Sequence, residues 1–560
     1  MLAASVMTRH LTDDPVRAVT LAWRALPAPL HGLVGLAGPY GRAAALWGAG
    51  DRRGALTALE ASPARLAAFS LAVDQPTVAR SAIARLPQHN SARPRLAARL
   101  AYREGRLTDA VRALDASRGL RAARLRRALL AELKALEPET VKLKGKAATQ
   151  PHPDPVPDRV LHIVTDALPS TSAGYTIRTQ EIARAQRAAG MDPHVSTRLG
   201  FPVTAGAIDG RALVTVDGVP YHRLLPWLMP GRLDRLYEVH LRRAAGLAAR
   251  LRPAVLHAAS NYANAVIALA LRDLTGLPVI YEVRGFWEDT WLSRHAASDG
   301  LRESDRYVRT RALETHCMTS ADLVVTLGEA MREEIVARGV PPERVIIVPN
   351  GVSQEFLSPL PDDGGRLRAS LGIQPGEQVV GLVSSLVAHE GIGTLLEAVK
   401  LLRDRGVPAR ALIVGDGPER TALQRHAAAL GLDAVFAGRV PSARVRDYHA
   451  VLDVFVVPRT PDRVCQLVTP LKPVEAMASG LPLVMSDVRA LAEIVTDGQT
   501  GLLFPPLDAA ALAAQLQQLL ASPELRAKLG KSARSWVAAG RTWAHNADRY
   551  RAVYQRLSAR

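Results

Sequence analysis

From Arg159 onward, short apolar segments typical of buried strands alternate with amphipathic segments typical of helices. Apolar segments such as VLHIVTDAL, AVLHAAS and DLVVTLG follow one another, the pattern breaks near residues 356–375, and it restarts at QVVGLVSSL. Alternation on this scale indicates parallel sheets covered by helices. Two blocks predict two doubly wound α/β domains. Ligands of such folds bind at the carboxyl ends of the strands, so a cleft between the domains is the expected site.

Residues 1–147 differ from these blocks because they are rich in Ala, Leu and Arg and carry few strand signals, so we expect helices. WGAGDRRGALTALEAS (47–62) matches YREGRLTDAVRALDAS (102–117), and DQPTVARSAIARL (74–86) is a weaker copy between them. The pattern resembles tetratricopeptide-like repeats, and a plain helical bundle is the alternative. A proline-rich linker at 148–158 should be extended.

The net charge of +18 is concentrated at the N-terminal end of the chain. Residues 1–150 hold 24 Lys/Arg against 11 Asp/Glu, a net of +13. This leader favours an anionic membrane surface or an acidic assembly partner, and nucleic acid is disfavoured. Two cysteines indicate a reducing compartment, and no apolar run reaches membrane-spanning length. We therefore expect a cytoplasmic protein, peripheral on the inner membrane face.

The stretch LVTPLKPVEAMASG (467–480) predicts a short helix that begins near Pro470 to Pro473 and ends before Gly480. Lys472 and Glu475 would then lie at its N-terminal end. Unpaired N–H groups at that end favour anions such as phosphate. The stretch therefore suggests a phosphate or nucleotide site, and a surface helix with a solvated lysine is the alternative.

Three loops that follow predicted strands are further candidates. LPSTSAGYTIRT (168–179) contains Gly174, which permits close backbone approach to a ligand. YEVRGFWEDTW (281–291) combines charges with aromatic rings, and GDGPE (415–419) departs from the dinucleotide pattern G-x-G-x-x-G. The plain alternatives are an ordinary connecting loop, a domain-interface cluster and a tight turn.

Four segments, taken together and in order, resemble the family-four retaining glycosyltransferases of the two-domain GT-B fold. They are VVTLGEAMREEIVARGVPPERVIIVPNGV, GLVSSLVAHEGIGTLLEAV, ALIVGDGPERTALQRHAAALGL and PLKPVEAMASGLPLVMSDVRALAEIVTDGQTGLLFPPLD. The resemblance implies an acceptor domain at 159–355, a donor domain at 356–540 and a helix at 541–560 that crosses back. It also implies sugar transfer from a nucleoside-diphosphate sugar to a glycan or lipid-linked acceptor, with retention and without a metal or other cofactor.

The family's donor-site pattern is only partly present. Glu475 matches the glutamate that implies hydrogen bonds to the donor ribose, whereas Leu467 replaces a second glutamate. Ser385 and Glu390, the latter followed by Gly391, occupy the positions of the usual diphosphate cations. We expect Lys472, with Arg463 as a second candidate, to supply the missing positive charge.

The other assignments follow from the same resemblance. It implies that Arg439 and Val440 read the nucleobase, that Gly174 approaches the phosphates and that Glu493 lies near the sugar or caps a helix. Arg284 and Glu282 are candidates for organising the acceptor side. The variant motifs EG, PLKPVEAMA and YEVRGFWED resemble a subgroup associated with exopolysaccharide and surface-glycan assembly. A degenerate transferase that acts as a scaffold through its basic leader is the alternative.

Overall fold

The computed structural model of the protein describes residues 1–6, 38–117, 119–138, 154–295, 300–361 and 364–558. A helical region precedes two α/β domains, which confirms the predicted fold class. Residues 7–37 and 139–147 of the leader, and 148–153 of the predicted linker, lie outside the described residues. Within the described ranges no helix has both the length and the apolar character needed to cross a membrane.

The helical region is built from hairpins that share one type of turn. Its described helices are α1 (Gly38–Gly48), α2 (Arg52–Thr57), α3 (Pro63–Ala72), α4 (Pro76–Ala84), α5 (Arg93–Arg103), α6 (Leu107–Arg112) and α7 (Leu120–Ala135). The turns α1–α2, α3–α4 and α5–α6 contain Gly50, Asp74 and Gly105, all with positive φ. The next residue of each turn donates its N–H five residues back, from Asp51 to Leu46, Gln75 to Ser70 and Arg106 to Ala101. This recurring helix stop explains why three sequence segments look alike.

The N-terminal α/β domain is built on an eight-stranded sheet of order β3-β4-β2-β1-β5-β6-β7-β8, in which β3 is antiparallel to β4. Its elements are β1 (Arg159–Val164), α8 (Gly174–Ala188), β2 (Asp192–Thr197), β3 (Leu213–Val216), β4 (Val219–His222), α9 (Leu233–Leu251), β5 (Val255–Ala259), α10 (Tyr262–Thr275), β6 (Val279–Glu282), α11 (Trp287–Leu292), α12 (Asp305–Ser320), β7 (Leu323–Thr326), α13 (Glu329–Ala337) and β8 (Val345–Ile347).

The C-terminal α/β domain is built on a six-stranded parallel sheet of order β11-β10-β9-β12-β13-β14. Its elements are α14 (Gly364–Ser370), β9 (Gln378–Val383), α15 (Ile392–Asp404), β10 (Ala409–Val414), α16 (Arg420–Ala429), β11 (Val435–Gly438), α17 (Val445–His449), β12 (Val454–Val457), α18 (Arg463–Leu467), α19 (Lys472–Ala478), β13 (Leu483–Ser486), α20 (Arg489–Ala492), β14 (Leu502–Phe504), α21 (Ala509–Ala521) and α22 (Pro523–Gly540). The central strands are buried along their length, as expected when helices cover both faces.

The last helix, α23 (Trp543–Ser558), packs on the N-terminal domain rather than on the domain that precedes it. Tyr550 and Tyr554 are buried there in a cluster with strand residues Val160 and Val255. The Tyr554 hydroxyl lies 2.9 Å from Nδ1 of His257 on β5. The last helix therefore follows the C-terminal α/β domain in the chain and packs on the N-terminal one.

The helical region docks on the N-terminal α/β domain through its second half. Glu132 of α7 accepts hydrogen bonds from the Tyr102 hydroxyl and from Arg306 of α12, both at 2.9 Å. The Arg306 guanidinium also lies over the Tyr102 ring, 4.6 Å from its centroid. Leu107 and Leu136 are buried in the core of that domain. The helical region and the N-terminal α/β domain therefore share a packed interface.

Candidate functional site

A cleft of about 930 Å³ lies between the two α/β domains, at the carboxyl ends of β9, β10 and β12. This is the edge at which ligands of parallel α/β folds bind. On the N-terminal side it is lined by the loop 171–175, and on the C-terminal side by the loops after these strands and by the start of α19. The residues of the predicted site that line it are Gly174, Ser385, Glu390, Arg439, Val440 and Lys472.

The N-terminal wall of the cleft is open at Gly174, the first residue of α8. A Cβ built on Gly174 has no described atom within 4 Å, so glycine here leaves space at the wall of the cleft. Arg439 reaches across from the other domain and donates to the carbonyl of Ser172, with 2.6 Å between Nη2 and the oxygen. The two walls are therefore in contact at one end of the cleft.

The C-terminal wall includes the N-terminal end of α19, where the sequence predicted a helix start. Lys472 is the first helical residue, and its Nζ donates to Oε2 of Glu475 over 2.9 Å. Glu475 is buried, and it lies behind Lys472 rather than among the residues that line the cleft. The two residues expected to bind different parts of a donor are thus paired with each other in this structure.

Arg459, which the sequence reasoning missed, lines the same wall two residues after the end of β12. Its Nη2 donates to Oε1 of Glu390 over 2.7 Å, and its Nη1 donates to the carbonyl of Val468 over 3.0 Å. Burial alone would raise the pKa of Glu390, but Arg459 holds that pKa below its ordinary value. The acid that stands where the family places a cation is therefore an ionised partner of a nearby arginine. The available signal was an arginine that follows the apolar run DVFVV after one proline.

Gly391 contacts backbone instead of lining the cleft. It has φ +66°, and a Cβ there would lie 1.8 Å from the carbonyl oxygen of Pro458. The N–H of Thr460 donates to the carbonyl of His389 over 3.1 Å. Gly391 is therefore required where the turn before α15 meets the segment after β12, so its predicted direct contact with the donor is corrected to a packing role. Gly415 of GDGPE similarly packs on the carbonyl of Ser384.

Glu282 and Arg284 are not among the residues that line the cleft, so their assignment to the acceptor side stays a prediction. Glu282 is fully buried and accepts from Nε of Arg178 (2.8 Å) and Nη2 of Arg284 (2.9 Å). Arg284 also donates to the carbonyl of Tyr175 over 2.9 Å and to Oγ1 of Thr179 over 2.7 Å. Both residues contact the first turns of α8, Glu282 through Arg178 and Arg284 through Tyr175 and Thr179. In this position they would affect a substrate only through that helix.

Arg463 and Glu493 join the two domains outside the cleft, which corrects two further assignments. Arg463 pairs with Asp289 at 3.1 Å and with Glu334 at 2.7 Å, both in the N-terminal α/β domain. Glu493 accepts from the backbone N–H groups that begin α13, including that of Glu329 at 2.8 Å. Their charged groups are committed to the interdomain contact, so neither is available to a ligand here.

Leu467 shows why one glutamate of the family pattern is missing. Its side chain is buried and joins the apolar core of the N-terminal α/β domain, although α18 belongs to the other domain. A carboxylate at this position would be buried without a partner, which is unfavourable. Leu467 instead makes an apolar contact between the two α/β domains.

The described ranges contain no group of three or more His, Cys, Asp or Glu side chains that could hold a metal ion. The expectation of a metal-independent reaction stays a prediction. Buried histidines such as His162 belong to the core of the N-terminal α/β domain, where burial lowers the pKa of His162 to about 3.

Two family models match the chain on either side of this cleft. The glycosyl transferase 4-like domain matches residues 173–351, and the glycosyl transferases group 1 domain matches residues 365–536. The chain carries both domains of a GT4-type glycosyltransferase with the GT-B fold. The family resemblance inferred from four sequence segments is confirmed to this extent.

Two curated relatives each match about two fifths of the chain. It is 33% identical to the GDP-mannose-dependent alpha-(1-6)-phosphatidylinositol monomannoside mannosyltransferase of Mycolicibacterium smegmatis over 40% of the chain and 59% of that relative. It is 32% identical to the D-inositol 3-phosphate glycosyltransferase of Nocardia farcinica over 42% of the chain and 52% of that relative. The chain thus spans little more than half the length of these relatives.

Solved structures support the fold of the glycosyltransferase domains. Sucrose-phosphate synthase from Thermosynechococcus elongatus matches with a TM-score of 0.59 and 22% identity, covering 72% of this chain and 99% of that one. Anabaena Alr3699/HepE in complex with UDP-glucose matches with a TM-score of 0.55 and 18% identity, covering 71% and 99%. At these identities the likeness concerns the arrangement of the two domains.

Proposed function

We propose that this protein transfers a sugar from a nucleoside-diphosphate sugar to a glycan or lipid-linked acceptor. The observation that carries the proposal is the open cleft between the domains, with Gly174 on one wall and the cations Arg459 and Lys472 on the other. Names of similar proteins support the donor class, since one is GDP-mannose-dependent and another is solved with UDP-glucose. The identity of the donor's sugar and nucleobase is to be determined by the screen described below.

The donor would lie against the C-terminal wall of the cleft. Lys472 would compensate the charge of the leaving diphosphate, because a cation that contacts developing negative charge stabilises the transition state. Glu475, which now holds Lys472, would bond the donor ribose. The backbone at Arg439 and Val440 would contact the nucleobase, and Ser385 would lie near the phosphates.

The decisive experiment is a thermal-shift screen of the full chain against UDP-, GDP-, ADP- and CMP-sugars. Lys472→Ala and Glu475→Ala are tested beside the wild type. A shift with one base that both variants lose is the expected result. If no donor changes the melting temperature of the wild type, the result would favour the alternative that the protein is a scaffold. Its function would then be sought in the basic helical region.

We further propose that transfer retains the anomeric configuration and that the product belongs to an exopolysaccharide or surface glycan. Retention is expected from the family resemblance, without a protein nucleophile and without a metal. The test is NMR of the anomeric proton in the product formed from an α-linked donor sugar. An α product is expected, and a β product would contradict retention.

The basic helical region would hold the enzyme on an anionic membrane surface, where a lipid-linked acceptor would be located. On α7, Arg121, Arg124 and Arg127 are exposed at three-residue spacing, and the neighbouring Leu120 is 88% exposed. Exposed cations beside an apolar side chain suit a bilayer with anionic headgroups. Such binding would place a cytoplasmic enzyme on the inner membrane face.

Vesicle sedimentation of the full chain tests this membrane proposal. Binding to vesicles with anionic lipid, but not to neutral vesicles, is expected, and Gln at Arg121, Arg124 and Arg127 together should reduce it at least tenfold. The matched control carries Gln at the exposed Arg403, Arg405 and Arg425 of the donor domain. Equal loss in both triple variants, or no binding by the wild type, would favour an acidic assembly partner.

A further inference from the structure

We propose that Arg459 is the principal diphosphate-binding cation of the donor site and that Glu390 orients its guanidinium. The position that carries a cation in the family resemblance holds Glu390 here, and a cation stands opposite it at the end of β12. A cation is thus present at this wall of the cleft, at a different position in the chain. This inference rests on the proposed function and names the group that binds the donor's phosphates.

The first observation is the incomplete hydrogen bonding of Arg459. The residue is 9% exposed and lines the cleft. Glu390 and the carbonyl of Val468 take one N–H each, yet a guanidinium carries five N–H groups. Its buried Nε has no hydrogen-bond partner among the described residues. Arg410 also has an unpaired buried Nε, but Arg459 lines the cleft, so the remaining N–H groups of its Nη1 and Nη2 are placed to donate to a ligand at this wall.

The second observation is the helix that begins beside Arg459. Gly391 precedes the 13-residue helix α15, and the described residues supply no side-chain cap at that end. The turn before α15 is joined to the arginine's own segment, because Thr460 donates to the carbonyl of His389 and Gly391 packs on Pro458. A helix N-terminus favours anions, and here it stands next to a cation with unused donors.

The third observation is that each member of the pair requires the other. The Glu390 side chain is 12% exposed and that of Arg459 is 10% exposed. Loss of either partner from a buried ion pair leaves an uncompensated charge, which is strongly unfavourable. Glu390 therefore does not indicate a decayed phosphate site. It is half of an arrangement that keeps an arginine in a fixed orientation at the cleft.

A structural ion pair elsewhere in the donor domain supplies the control. Arg410 on β10 is 8% exposed, pairs with Glu377 at 3.2 Å and with Asp433 at 2.6 Å, and does not line the cleft. Arg410→Gln removes an equally buried arginine from the same domain. Its effect on nucleotide affinity measures what loss of a purely structural pair does.

The test compares diphosphates with monophosphates by calorimetric titration of the full chain with UDP, UMP, GDP and GMP. In Arg459→Gln we expect the affinity for the preferred diphosphate to fall about tenfold to a hundredfold, while the monophosphate of the same base changes less than about threefold. Glu390→Gln keeps the cation and an amide oxygen that can accept from Nη2 of Arg459, so the orientation and the diphosphate advantage should be retained. Arg410→Gln should leave the ratio of the two affinities unchanged.

The outcomes separate three cases. If Arg459→Gln and Glu390→Gln lower both affinities alike, or if Arg459→Gln keeps the diphosphate advantage, the pair is structural and the inference is wrong. If Arg459→Gln does not fold, two other variants decide. The inference is supported if Glu390→Gln keeps the higher affinity for the diphosphate and Arg459→Lys loses it. It is contradicted if Glu390→Gln loses that higher affinity and Arg459→Lys keeps it. If the wild type binds none of the four nucleotides and no sugar donor shifts it in the thermal screen, the proposed function itself fails, and this role fails with it.

Discussion

The two α/β domains each contain a buried arginine–glutamate pair near the carboxyl end of their sheets, and the two pairs differ in how completely they are bonded. Arg178 donates to Glu282, to the backbone carbonyls of Val348 and Pro349 and to the side chains of Asn350 and Tyr550. Arg459 has two such acceptors and leaves its Nε unpaired within the described residues. The first pair lies away from the cleft and the second lines it.

This difference shows that burial alone does not separate a structural ion pair from one prepared for a ligand. Both pairs are nearly inaccessible to solvent. Two things differ: the number of acceptors around the guanidinium, because a saturated arginine has nothing left to donate, and whether the arginine lines the cleft, as Arg459 does and Arg178 does not. The pair in the acceptor domain should therefore determine stability, and the pair in the donor domain should determine ligand affinity.

The largest expected effect comes from breaking the saturated pair. Arg178→Met leaves Glu282 buried beside fewer cations and removes hydrogen bonds to several backbone carbonyls. We expect the free energy of unfolding of the N-terminal α/β domain to fall by about 3–5 kcal/mol. Urea unfolding followed by intrinsic fluorescence measures it. The control Arg184→Met, on the exposed side of α8, should cost less than about 1 kcal/mol; similar losses in both would refute the contrast.

A second prediction concerns a buried carboxyl that lacks such an arginine. Glu314 of α12 contacts the Tyr281 hydroxyl and the N–H of Tyr262. Burial, reinforced by repulsion from Glu288, raises its pKa to about 8. By contrast, burial would raise the pKa of Glu282, but Arg284 and Arg178 hold it well below the ordinary value.

The sign follows from linkage. Between about pH 4.5 and 8 the unfolded chain ionises Glu314 while the folded chain keeps it protonated, so its contribution to stability declines as the pH rises. Wild type should lose roughly 2–4 kcal/mol relative to Glu314→Gln across that interval. Urea titrations at several pH values measure it, and parallel pH profiles of the two proteins would exclude a protonated Glu314.

A third prediction concerns the other cation of the donor wall. Lys472 is held by Glu475 and lines the cleft. Lys472→Ala should weaken binding of the preferred nucleoside diphosphate about tenfold, because one charged contact is removed. Lys400→Ala, which removes an exposed lysine paired with Asp404 on α15, is the control and should bind as wild type does. Unchanged affinity in Lys472→Ala would leave Arg459 as the cation that matters.

The smallest expected effect concerns Arg463. The sequence predicted that it binds phosphate, whereas the structure places it in ion pairs outside the cleft. Since Arg463 pairs with Asp289 and Glu334 outside the cleft, Arg463→Met should leave nucleotide affinity within about twofold of wild type. The same calorimetric titration measures it. A tenfold loss would restore Arg463 as a phosphate ligand and would mean that the domains rearrange on binding.

The fold was predictable because period and order are local properties of the sequence. Two series of apolar strands and intervening helices specify two parallel sheets, and Gly480 and Pro473 bracket α19 closely. Repeated helix stops at Gly50 and Gly105 were likewise visible as similar segments. Each of these predictions depends on residues that are close together in the chain.

The site was predictable only where a residue's role depends on its own loop. Gly174 and Lys472 line the cleft because they begin helices at its edge. The positions of Arg463 and Glu493 outside the cleft were not predictable, because their partners Asp289 and Glu329 lie 174 and 164 residues away in the other domain. Arg459 was overlooked for the same reason, since its role depends on Glu390, which is 69 residues earlier.

The return of α23 to the first α/β domain has a consequence for biosynthesis. Tyr550 and Tyr554 share one buried cluster with Val160 on β1, so we expect this cluster of the N-terminal α/β domain to stay open when the domain's own strands leave the ribosome. It must wait until the whole donor domain has been translated. During that delay the apolar surface under α23 is uncovered, and a stalled or clipped chain would keep it so. The last helix therefore acts as a check that only a chain translated through both domains buries its first sheet.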